Sequence, residues 1–485
     1  MRNGKHRDYM NSNQASLTFI LLSFEGPDRY SRAGGLGTRV TELSRTLSSM
    51  GFETHLFFIG DPNLPGHEVL EEGKLHLHRW GQWISAYHPG GVYDGEEGKL
   101  SDWNRSLPEW LEKQLLPQKI AGGGSVVILG EEWQTAYSVV ALHRKVVEHG
   151  WQKAVHLLWN ANNTFSFYRI DWQQLRRAAT ITTVSRYMKH HMWREGVDAR
   201  VVPNGIPSTW LAPVRRQIST SLAHTFKDRT VLVKVARWDP DKRWMMAVDA
   251  VARLKALGRR PLFLVRGGME PHGEEVLRHA VDAGLVIRMV DVSDGSAEAL
   301  VPVLKELSDI DVMLFQSHLS EEQCGVLFHS ADAVLANSGI EPFGLVGLET
   351  MAVGGIAFVG STGEDYATPG HDSIGLQTSD PGEIVHHTLR LKHSQNEERR
   401  LRRAARRAAE LYTWEAVIAR ALLPLIQQLG VDVPLPSPEA SLKAPSRAKT
   451  PARTASTLRG NGAGLAESLA LKKKPLRLNR VLISA

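Results

Sequence analysis

The chain has 485 residues, of which 42% are hydrophobic and 23% are charged. This length is typical of roughly two to four domains. The composition is that of a globular protein and excludes a largely disordered, a collagen-like or a disulfide-framework chain. The single cysteine, Cys324, cannot form a disulfide within the chain or build a cysteine-based metal site.

The net charge of +6 would favour nucleic acid, anionic lipid or a phosphorylated substrate as a partner if it were evenly distributed. However, residues 434–485 carry a net charge of +8, and residues 1–433 carry −2. The folded body is therefore near-neutral, and no specific nucleic-acid partner is expected. The basic tail, rich in Pro, Ser, Ala, Thr and Lys, is predicted to be disordered. The tail is either a solvated extension or a segment that binds an anionic membrane or polymer.

Basic residues precede the apolar stretch Leu17–Phe24, as they do in a secretory signal. A signal would need a small-residue cleavage site after that stretch, but Glu25-Gly26-Pro27-Asp28 follows instead. We therefore expect a flexible N-terminus over residues 1–16 and a first strand that begins at Leu17. No apolar run approaches the roughly 18 residues that span a bilayer. The sequence predicts a cytoplasmic protein without a transmembrane segment, peripheral to a membrane at most.

Short apolar runs alternate with longer stretches of helical period in the first half, which is typical of parallel α/β domains. The predicted strands are Leu17–Leu22, Thr54–Ile59, Val126–Leu129, Val155–Leu158 and Ile181–Val184. The predicted helices are Gly37–Met50, Gln134–Glu148 and Arg186–Glu195. Turn residues around two prolines close this half near residue 207. We assign residues 17–210 to an N-terminal doubly wound domain.

A second series of strands and helices predicts a C-terminal doubly wound domain over residues 211–433. Its predicted strands are Val231–Ala236, Leu262–Val265, Val286–Val290, Asp311–Phe315, Ala333–Ala336 and Ile356–Val359. Its predicted helices are Trp244–Leu257, Glu274–Ala283, Glu298–Leu307, Phe343–Val353 and Glu397–Leu411. Thr413 is the predicted N-cap of a last helix that ends near Leu429 and could pack back on the first domain.

A glycine-rich loop, Ala33-Gly34-Gly35-Leu36-Gly37-Thr38, follows the first strand and opens a helix. Glycines allow close backbone approach, and helix-terminal N–H groups favour an anion such as phosphate. The spacing differs from the dinucleotide-binding fingerprint. An ordinary tight turn explains the loop equally well.

Arg237 and Lys242 lie immediately after the strand Val231–Ala236. Ligands of open α/β sheets bind beyond the carboxyl ends of the strands, so two cations there could clamp a diphosphate. The alternative is a solvated charged turn in which Arg237 pairs with a neighbouring aspartate.

Two glutamates eight positions apart flank a predicted helix start in Glu341-Pro342-Phe343-Gly344-Leu345 and the residues that follow, up to Glu349. A carboxylate can accept hydrogen bonds from two vicinal hydroxyls, such as those of a ribose. The N–H groups of Gly344 and Leu345 would meet phosphate oxygens at the helix start. Glu341, outside the helix, could face a sugar. The alternative is a dipole-favouring acidic residue and a surface glutamate.

Taken together, the pattern resembles the retaining glycosyltransferases of the GT-B fold, specifically glycosyltransferase family 4, over roughly residues 17–430. The motifs stand in the family's order: Gly34-Gly35-Leu36-Gly37, Val184-Ser185-Arg186-Tyr187, Val202-Pro203-Asn204-Gly205-Ile206, Arg237 with Lys242, Val265-Arg266-Gly267-Gly268, and Glu341 with Glu349. The resemblance implies two Rossmann-like domains that face each other across a cleft, with the acceptor on the N-terminal domain and a nucleotide-sugar donor on the C-terminal one.

The resemblance also implies roles for individual residues. Arg237 and Lys242 would stabilise the leaving diphosphate, a task that metal-dependent transferases give to a divalent cation, so neither a metal nor another cofactor is expected. Glu341 would bind donor-sugar hydroxyls and complete the catalytic set, and Glu349 would bind the ribose. The further donor-binding candidates are Gly35, Gly37, Gly267, Phe343, Gly344 and Leu345.

The acceptor side departs from the family pattern. Many relatives have a His-Asp-Trp motif where this chain has Gly130-Glu131-Glu132-Trp133, and another common histidine is replaced near Asn160 and Asn162. Glu131, Asn160 and Asn162 are therefore acceptor-site candidates. The segment 76–110 is rich in aromatic residues, and Trp83 and Tyr87 could stack on the sugar ring of a saccharide acceptor. Packing of this segment onto the domain explains the same residues.

Three function classes fit the resemblance. The first is a metal-independent retaining transferase that moves a sugar from a nucleoside-diphosphate sugar to a saccharide or other hydroxyl acceptor. The second is a nucleotide-sugar epimerase or a phosphorylase. The phosphorylase is disfavoured, because this chain has no candidate lysine in a pyridoxal-phosphate context. The third is a sensor or scaffold that binds a nucleotide sugar without turnover. The complete set Arg237, Lys242, Glu341 and Glu349 favours the first class.

Overall fold

The computed structural model describes residues 16–433, except residues 293, 306–308 and 361. Over these residues the strands form two sheets, one of eight strands and one of seven, each packed against helices. The strands are β1 (Leu17–Leu22), β2 (Glu53–Ile59), β3 (His67–Leu70), β4 (Leu75–Trp80), β5 (Ser125–Glu131), β6 (Val155–Ala161), β7 (Thr180–Thr183), β8 (Arg200–Val201), β9 (Thr230–Val235), β10 (Pro261–Arg266), β11 (Ile287–Val290), β12 (Val312–Phe315), β13 (Ala333–Ala336), β14 (Ala357–Val359) and β15 (Ile374–Gly375).

The helices alternate with these strands, as a parallel sheet requires. They are α1 (Gly35–Ser49), α2 (Gln82–Ser85), α3 (Glu96–Trp110), α4 (Leu116–Ile120), α5 (Trp133–Glu148), α6 (Trp172–Ala178), α7 (Arg186–Met192), α8 (Arg216–Thr225), α9 (Trp244–Ala256), α10 (His272–Asp282), α11 (Leu300–Lys305), α12 (Glu321–Ser330), α13 (Leu345–Ala352), α14 (Pro381–His393), α15 (Gln395–Ala409), α16 (Trp414–Val417) and α17 (Leu423–Gln428). None of the helices in residues 16–433, as far as they are described, is both long and apolar enough to cross a bilayer.

The first sheet has the order β3-β4-β2-β1-β5-β6-β7-β8, and all its neighbours are parallel except β3 and β4. All six residues of β1 are buried, which is why this strand is a continuous apolar run in the sequence. The register places Ile20 opposite His55 on β2 and opposite Ile128 on β5. The chain therefore changes direction across the sheet between β1 and β5, and the carboxyl ends of these two strands bound a crevice.

The second sheet has the order β11-β12-β10-β9-β13-β14-β15 and is parallel throughout. Here the direction changes between β9 and β13. Arg237 and Lys242 follow β9, and the segment Ser338–Gly344 follows β13, so the two segments meet at the switch point. Parallel packing thus brings together residues that are about 100 positions apart in sequence.

The end of the described chain packs on the first domain. Thr413 caps α16, because its side chain accepts a hydrogen bond from the N–H of Ala416. Trp414, Ile418 and Leu422 are buried in the same hydrophobic cluster as β1 and α1. A second link joins the two halves where the Arg186 side chain and N–H bind the Asp365 carboxylate at 3.1 and 2.7 Å.

The predicted fold class of two doubly wound α/β domains is confirmed. Every predicted strand is present to within three residues at each end. Among the elements that were not predicted are β3, β4 and α3: the two strands lack the continuous apolar run of β1, and α3 contains Pro108. The calls on residues 1–15 and on the basic tail 434–485 lie outside the described residues. A contact of that tail with an anionic surface, and a cytoplasmic location, stay predictions.

Candidate active site

An ion pair joins the two loops at the switch point of the second sheet. Lys242 Nζ donates to Glu341 Oε2 at 2.5 Å, and Ser338 Oγ donates to the same oxygen at 2.9 Å. The N–H of Gly339 donates to the carbonyl of Asp241 at 2.7 Å. The predicted diphosphate-binding lysine and the predicted sugar-binding glutamate are therefore in direct contact, at the carboxyl ends of β9 and β13.

Arg237, in the loop that follows β9, is exposed, and its guanidinium has no hydrogen bond or ion pair to the residues that the structure describes. The alternative of a charged turn, in which Arg237 pairs with Asp239 or Asp241, is therefore not observed. Asp239 instead caps the turn that carries Lys242, by accepting from the N–H of Asp241. Arg237 thus provides an exposed, unneutralised cation just beyond the carboxyl end of β9.

Helix α13 begins at this site without a side-chain cap, so the N–H groups of its first turn are available to an anion. Gly344, which precedes it, has φ 77°, a conformation that favours glycine. A Cβ at this position would lie 3.0 Å from Glu341 Cγ. Leu345, the first helical residue, is half-buried. Position 344 therefore needs glycine, both for the positive φ and because a side chain there would crowd Glu341.

Phe343 and Gly267 have structural roles that the sequence analysis did not anticipate. The Phe343 ring is 2% exposed and packs against Tyr366 and Tyr412, so only its backbone can reach a ligand. Gly267 lies against the indole of Trp238, which would overlap a Cβ at 1.9 Å. The Phe343 side chain is therefore a core residue and Gly267 makes room for Trp238, and donor binding through the backbone of these two residues stays a prediction.

Glu349 lies in α13, and no hydrogen bond from the described residues reaches its carboxylate. Burial, and to a smaller degree the nearby Glu321, raises the pKa of Glu349 to about 8. Glu321 belongs to α12, and its own pKa is raised by burial and then by Glu42 of the first domain. The Glu349 carboxylate is therefore desolvated, and hydroxyl groups that donate hydrogen bonds to it would stabilise its charged form.

Glu364 is a site residue that the sequence analysis missed. Burial raises the pKa of Glu364 to about 7, and its Oε1 is buried without a partner among the described residues. Its Oε2 accepts from the N–H of Thr362, whose hydroxyl in turn accepts from the N–H of Glu341 at 2.9 Å. Glu364 thus holds Thr362, which in turn binds the backbone of Glu341. It follows a short strand in a Ser-Thr-Gly-Glu sequence, which carries no recognised signal.

The glycine-rich loop of the first domain holds an internal anion. The Glu25 carboxylate, 4% exposed, accepts from the N–H groups of Gly34 at 2.9 Å and Gly37 at 3.0 Å. It also accepts from the Tyr93 hydroxyl at 2.7 Å. This corrects the prediction for Gly37, because its N–H is already bound to a side chain of the same chain. Gly35 is exposed with open space around it, so it can still approach a ligand.

Glu131 and Asn160 are fully buried and have no surface in the cleft. Glu131 accepts from Arg39 Nε at 3.0 and 3.1 Å, from Asn160 Nδ2 at 2.9 Å and from Asn162 Nδ2 at 2.8 Å. The prediction that Glu131 and Asn160 contact an acceptor is therefore corrected to a structural role, since all these donors converge on one buried carboxylate. Asn162 is half-buried and closer to the surface.

Glu132, next to this network, has φ 65° and ψ 169°, a backbone conformation that costs a non-glycine residue about 1–3 kcal/mol. Burial, and then the nearby Glu131 charge, raises the pKa of Glu132 to about 8 against the hydrogen bond from the N–H of Asn162. Strain of this kind concentrates at functional sites. The sequence shows only a Glu-Glu pair, so neither the strain nor the burial could be anticipated.

Trp83 and Tyr87 are 62% and 80% exposed. The tryptophans at 80, 103 and 110 pack inside the domain: Trp103 is fully buried, and Trp80 and Trp110 lie against Phe57 and each other. The packing interpretation therefore holds for the tryptophans, and stacking of Trp83 and Tyr87 on an acceptor sugar stays a prediction. Packing accounts for the buried tryptophans, and Trp83 and Tyr87 remain available to a ligand.

Comparison with known families accounts for both halves of the chain. Residues 33–210 match the family described as Glycosyltransferase Family 4, and residues 220–408 match Glycosyl transferases group 1. A relative from Mycobacterium tuberculosis, the GDP-mannose-dependent alpha-(1-6)-phosphatidylinositol dimannoside mannosyltransferase, is 28% identical over 260 residues. That alignment covers 53% of this chain and 60% of the relative's length.

Solved structures show the same fold at low identity. Sucrose-phosphate synthase from Thermosynechococcus elongatus has a TM-score of 0.60 at 18% identity, over 86% of this chain and 99% of that one. The catalytic domain of starch synthase IV from Arabidopsis thaliana has a TM-score of 0.59 at 14% identity, over 86% and 100%. Anabaena HepE has a TM-score of 0.56 at 13% identity, over 84% and 99%. The two family matches, together with this fold, show that the chain belongs to the GT-B glycosyltransferases of family 4, group 1.

Proposed function

We propose that this protein is a retaining, metal-independent glycosyltransferase that moves a sugar from a nucleoside-diphosphate sugar to a saccharide or other hydroxyl acceptor. The observation that carries the proposal is the Lys242–Glu341 ion pair at the switch point of the second sheet, beside exposed Arg237 and the uncapped start of α13. Two cations and a helix N-terminus can bind a diphosphate, and the adjacent carboxylate can bind sugar hydroxyls.

The chemistry follows from where charge develops. When the bond between the anomeric carbon and the diphosphate breaks, negative charge grows on the leaving phosphate, and Arg237 and Lys242 stabilise it. On donor binding, Lys242 exchanges part of its contact with Glu341 for phosphate oxygens, which frees Glu341 for the sugar. Glu349 accepts hydrogen bonds from the ribose hydroxyls. The acceptor attacks from the face that the diphosphate leaves, and the departing phosphate takes the acceptor's proton.

Relatives support the donor class rather than one donor. The mycobacterial relative is dependent on GDP-mannose, Anabaena HepE was crystallised with UDP-glucose, and the starch synthase was crystallised with ADP and acarbose. Because these proteins use different bases, the proposal extends to nucleoside-diphosphate sugars as a class. A screen of such sugars by thermal shift identifies the donor, since a ligand at 100 times its Kd adds about 2.7 kcal/mol of stability.

The stereochemical part of the proposal has its own test. Once a donor and an acceptor are found, nuclear magnetic resonance of the first-formed product reports the anomeric configuration. Retention supports the proposal, and inversion contradicts it. Donor binding without any hydrolysis or transfer would instead support a sensor or scaffold, and interconversion of the free nucleotide sugar would support an epimerase.

Replacing Glu349 by glutamine is expected to weaken donor binding and to stabilise the protein at high pH. The raised pKa of about 8 means that the folded protein must ionise a desolvated carboxyl group as the pH rises from about 4.5 through 8. Stability from the neutral form is therefore present below pH 4.5 and is lost across this window. Glu349→Gln cannot ionise, so its melting temperature should exceed that of the wild type by about 2 °C or more at pH 9.

At pH 5 the two melting temperatures should converge, which serves as the internal control for the Glu349→Gln variant. A variant that melts below the wild type at pH 9, or that binds the donor with unchanged affinity, contradicts the assignment of Glu349 as a desolvated ribose ligand.

Trp83→Ala and Tyr87→Ala are expected to raise the acceptor KM without changing the donor KM. Both side chains are exposed, so their loss should change the free energy of unfolding by no more than about 0.5 kcal/mol. Trp193→Ala removes another exposed indole, 55% accessible, and serves as the control with unchanged kinetics. A loss of stability without a selective rise in acceptor KM would overturn the acceptor-site assignment.

A further inference from the structure

A cluster of imidazoles lies on one face of the edge strands of the first sheet, away from the donor site. His55 on β2, His67 on β3, and His76 and His78 on β4 stack on one another, with ring centroids 4.3–6.4 Å apart. Glu53, at the start of β2, joins them. We refer to these five residues as the histidine cluster. It lies near the amino ends of β2 and β4, whereas the cleft lies at the carboxyl ends of the strands.

Three potential ligand atoms converge in this cluster. His55 Nε2 lies 3.2 Å, and His76 Nε2 3.7 Å, from the same oxygen of Glu53, and all three ligand atoms lie within 4.8 Å of one another. Two ligands of a tetrahedral zinc ion, each about 2.0–2.1 Å from the metal, are about 3.3–3.4 Å apart. The two distances to Glu53 Oε1 are therefore close to one edge of such a tetrahedron.

The remaining ring nitrogens are held in the way that metal ligands require. His55 Nδ1 lies 3.0 Å from His78 Nε2, and His76 Nδ1 lies 3.3 Å from His67 Nε2. When His55 and His76 donate their Nδ1–H groups along these contacts, both Nε2 atoms carry lone pairs toward Glu53. Ligating histidines in proteins use their second nitrogen in the same manner, which fixes the tautomer.

The positively charged side chain of a lysine already contacts Glu53 in the structure. Lys119 of α4 donates to Glu53 Oε1 at 2.5 Å, the same oxygen that the two histidines approach. Its side chain is 22% exposed, so it can turn to solvent when another cation arrives. The ammonium group thus marks where positive charge is favourable, and it competes with a metal ion for the carboxylate.

We propose that Glu53, His55 and His76 form a binding site for a zinc ion, with water as the fourth ligand and Lys119 displaced. Two imidazoles and one carboxylate are a ligand set suited to this metal. The rings of His55 and His76 are stacked at 12°, so one must tilt to direct its lone pair at the shared ion. His76 is the more exposed of the two, 19% against 4%, and is the ring that tilts. The site ties β2 to β4 and stays apart from sugar transfer.

The test uses the full chain without a polyhistidine tag, stripped with a chelator and titrated at pH 7.5 with Co²⁺ as a spectroscopic probe and Zn²⁺ as competitor. At this pH an imidazole is mainly neutral, because its ordinary pKa is about 6.5. We expect one Co²⁺ per chain, with the visible absorption of a tetrahedral ion that Zn²⁺ abolishes. Zn²⁺ should also raise the melting temperature of the wild type.

Variants separate this site from adventitious binding. Glu53→Gln and His76→Ala should each weaken Co²⁺ binding about tenfold or more, as loss of even an outer contact of a metal site does. Lys119→Met should strengthen binding by about tenfold, because it removes the ammonium group that competes with the ion for Glu53 Oε1. A gain of affinity cannot arise from misfolding, so this variant keeps the test informative. His224→Ala removes an exposed histidine of α8 and serves as the matched control.

The proposal is overturned if Co²⁺ binds equally well to Glu53→Gln and His76→Ala, if Lys119→Met leaves the affinity unchanged, or if His224→Ala abolishes binding. It is also overturned if stripped wild-type protein takes up no Co²⁺ at all.

Discussion

Arg237→Ala and Lys242→Ala should each lower kcat by about 100-fold or more. Removing one preorganised donor to a developing oxyanion costs this much, about 2.7–4 kcal/mol of transition-state stabilisation. Both residues lie at the carboxyl end of β9, where Arg237 is free of partners among the described residues and the ammonium group of Lys242 contacts Glu341. Steady-state turnover of the donor, with the acceptor or by hydrolysis, measures the effect.

The contact between Lys242 and Glu341 predicts that their substitutions are not additive. Because the two side chains share one hydrogen bond, the double variant Lys242→Ala/Glu341→Ala should lose less activity than the product of the single losses. Lys227→Ala, an exposed lysine before β9, is the matched control and should have normal kcat. Near-normal turnover of both Arg237→Ala and Lys242→Ala would contradict the diphosphate site.

Glu131→Ala should lower the free energy of unfolding by about 3–5 kcal/mol, the cost of leaving a buried charge without its partner. Arg39 and Glu131 are 3% and 0% exposed, and their ion pair is 3.0 Å long. Arg39 also donates to Asn204 and lies over the Trp414 ring at 5.5 Å. The network thus joins α1, β5, the loop near residue 204 and the last helices. Urea unfolding followed by tryptophan fluorescence measures the loss.

A surface pair provides the comparison for Glu131→Ala. Arg45 is 51% exposed and contacts Glu42 within the same helix, so Glu42→Ala should cost no more than about 1 kcal/mol. A stable Glu131→Ala variant with a selectively raised acceptor KM would contradict the structural role and restore the acceptor assignment.

The local sequence was sufficient to predict features that depend on a single segment, such as a buried strand or a helix cap. The strand β1 is a continuous apolar run because both of its faces are buried, and Thr413 precedes its helix with the hydroxyl that caps it. The order of strands then places Lys242 and Glu341 at one edge of a sheet, because parallel strands share the position of their carboxyl ends. The resemblance of the motifs to those of the family indicated that the loops with Lys242 and Glu341 form the donor site.

Contacts between distant segments could not be anticipated. Glu25 fills the glycine-rich loop, and Arg39 pairs with Glu131 across 92 positions; either carboxylate could equally have faced the cleft. The histidine cluster depends on the pairing of β2, β3 and β4, and β3 and β4 lack the continuous apolar runs of the central strands. Phe343 was a plausible ligand contact from its position and became a core residue through Tyr366 and Tyr412.

Transfer of labelled sugar from the identified donor, measured with and without excess EDTA in wild-type and Lys242→Ala protein, tests the central claim most directly. The proposed site uses Arg237 and Lys242 in place of a metal, so wild-type kcat should be the same in EDTA, and Lys242→Ala should be about 100-fold slower in both conditions. A wild-type rate that collapses in EDTA and returns with Mg²⁺ or Mn²⁺ would contradict the account.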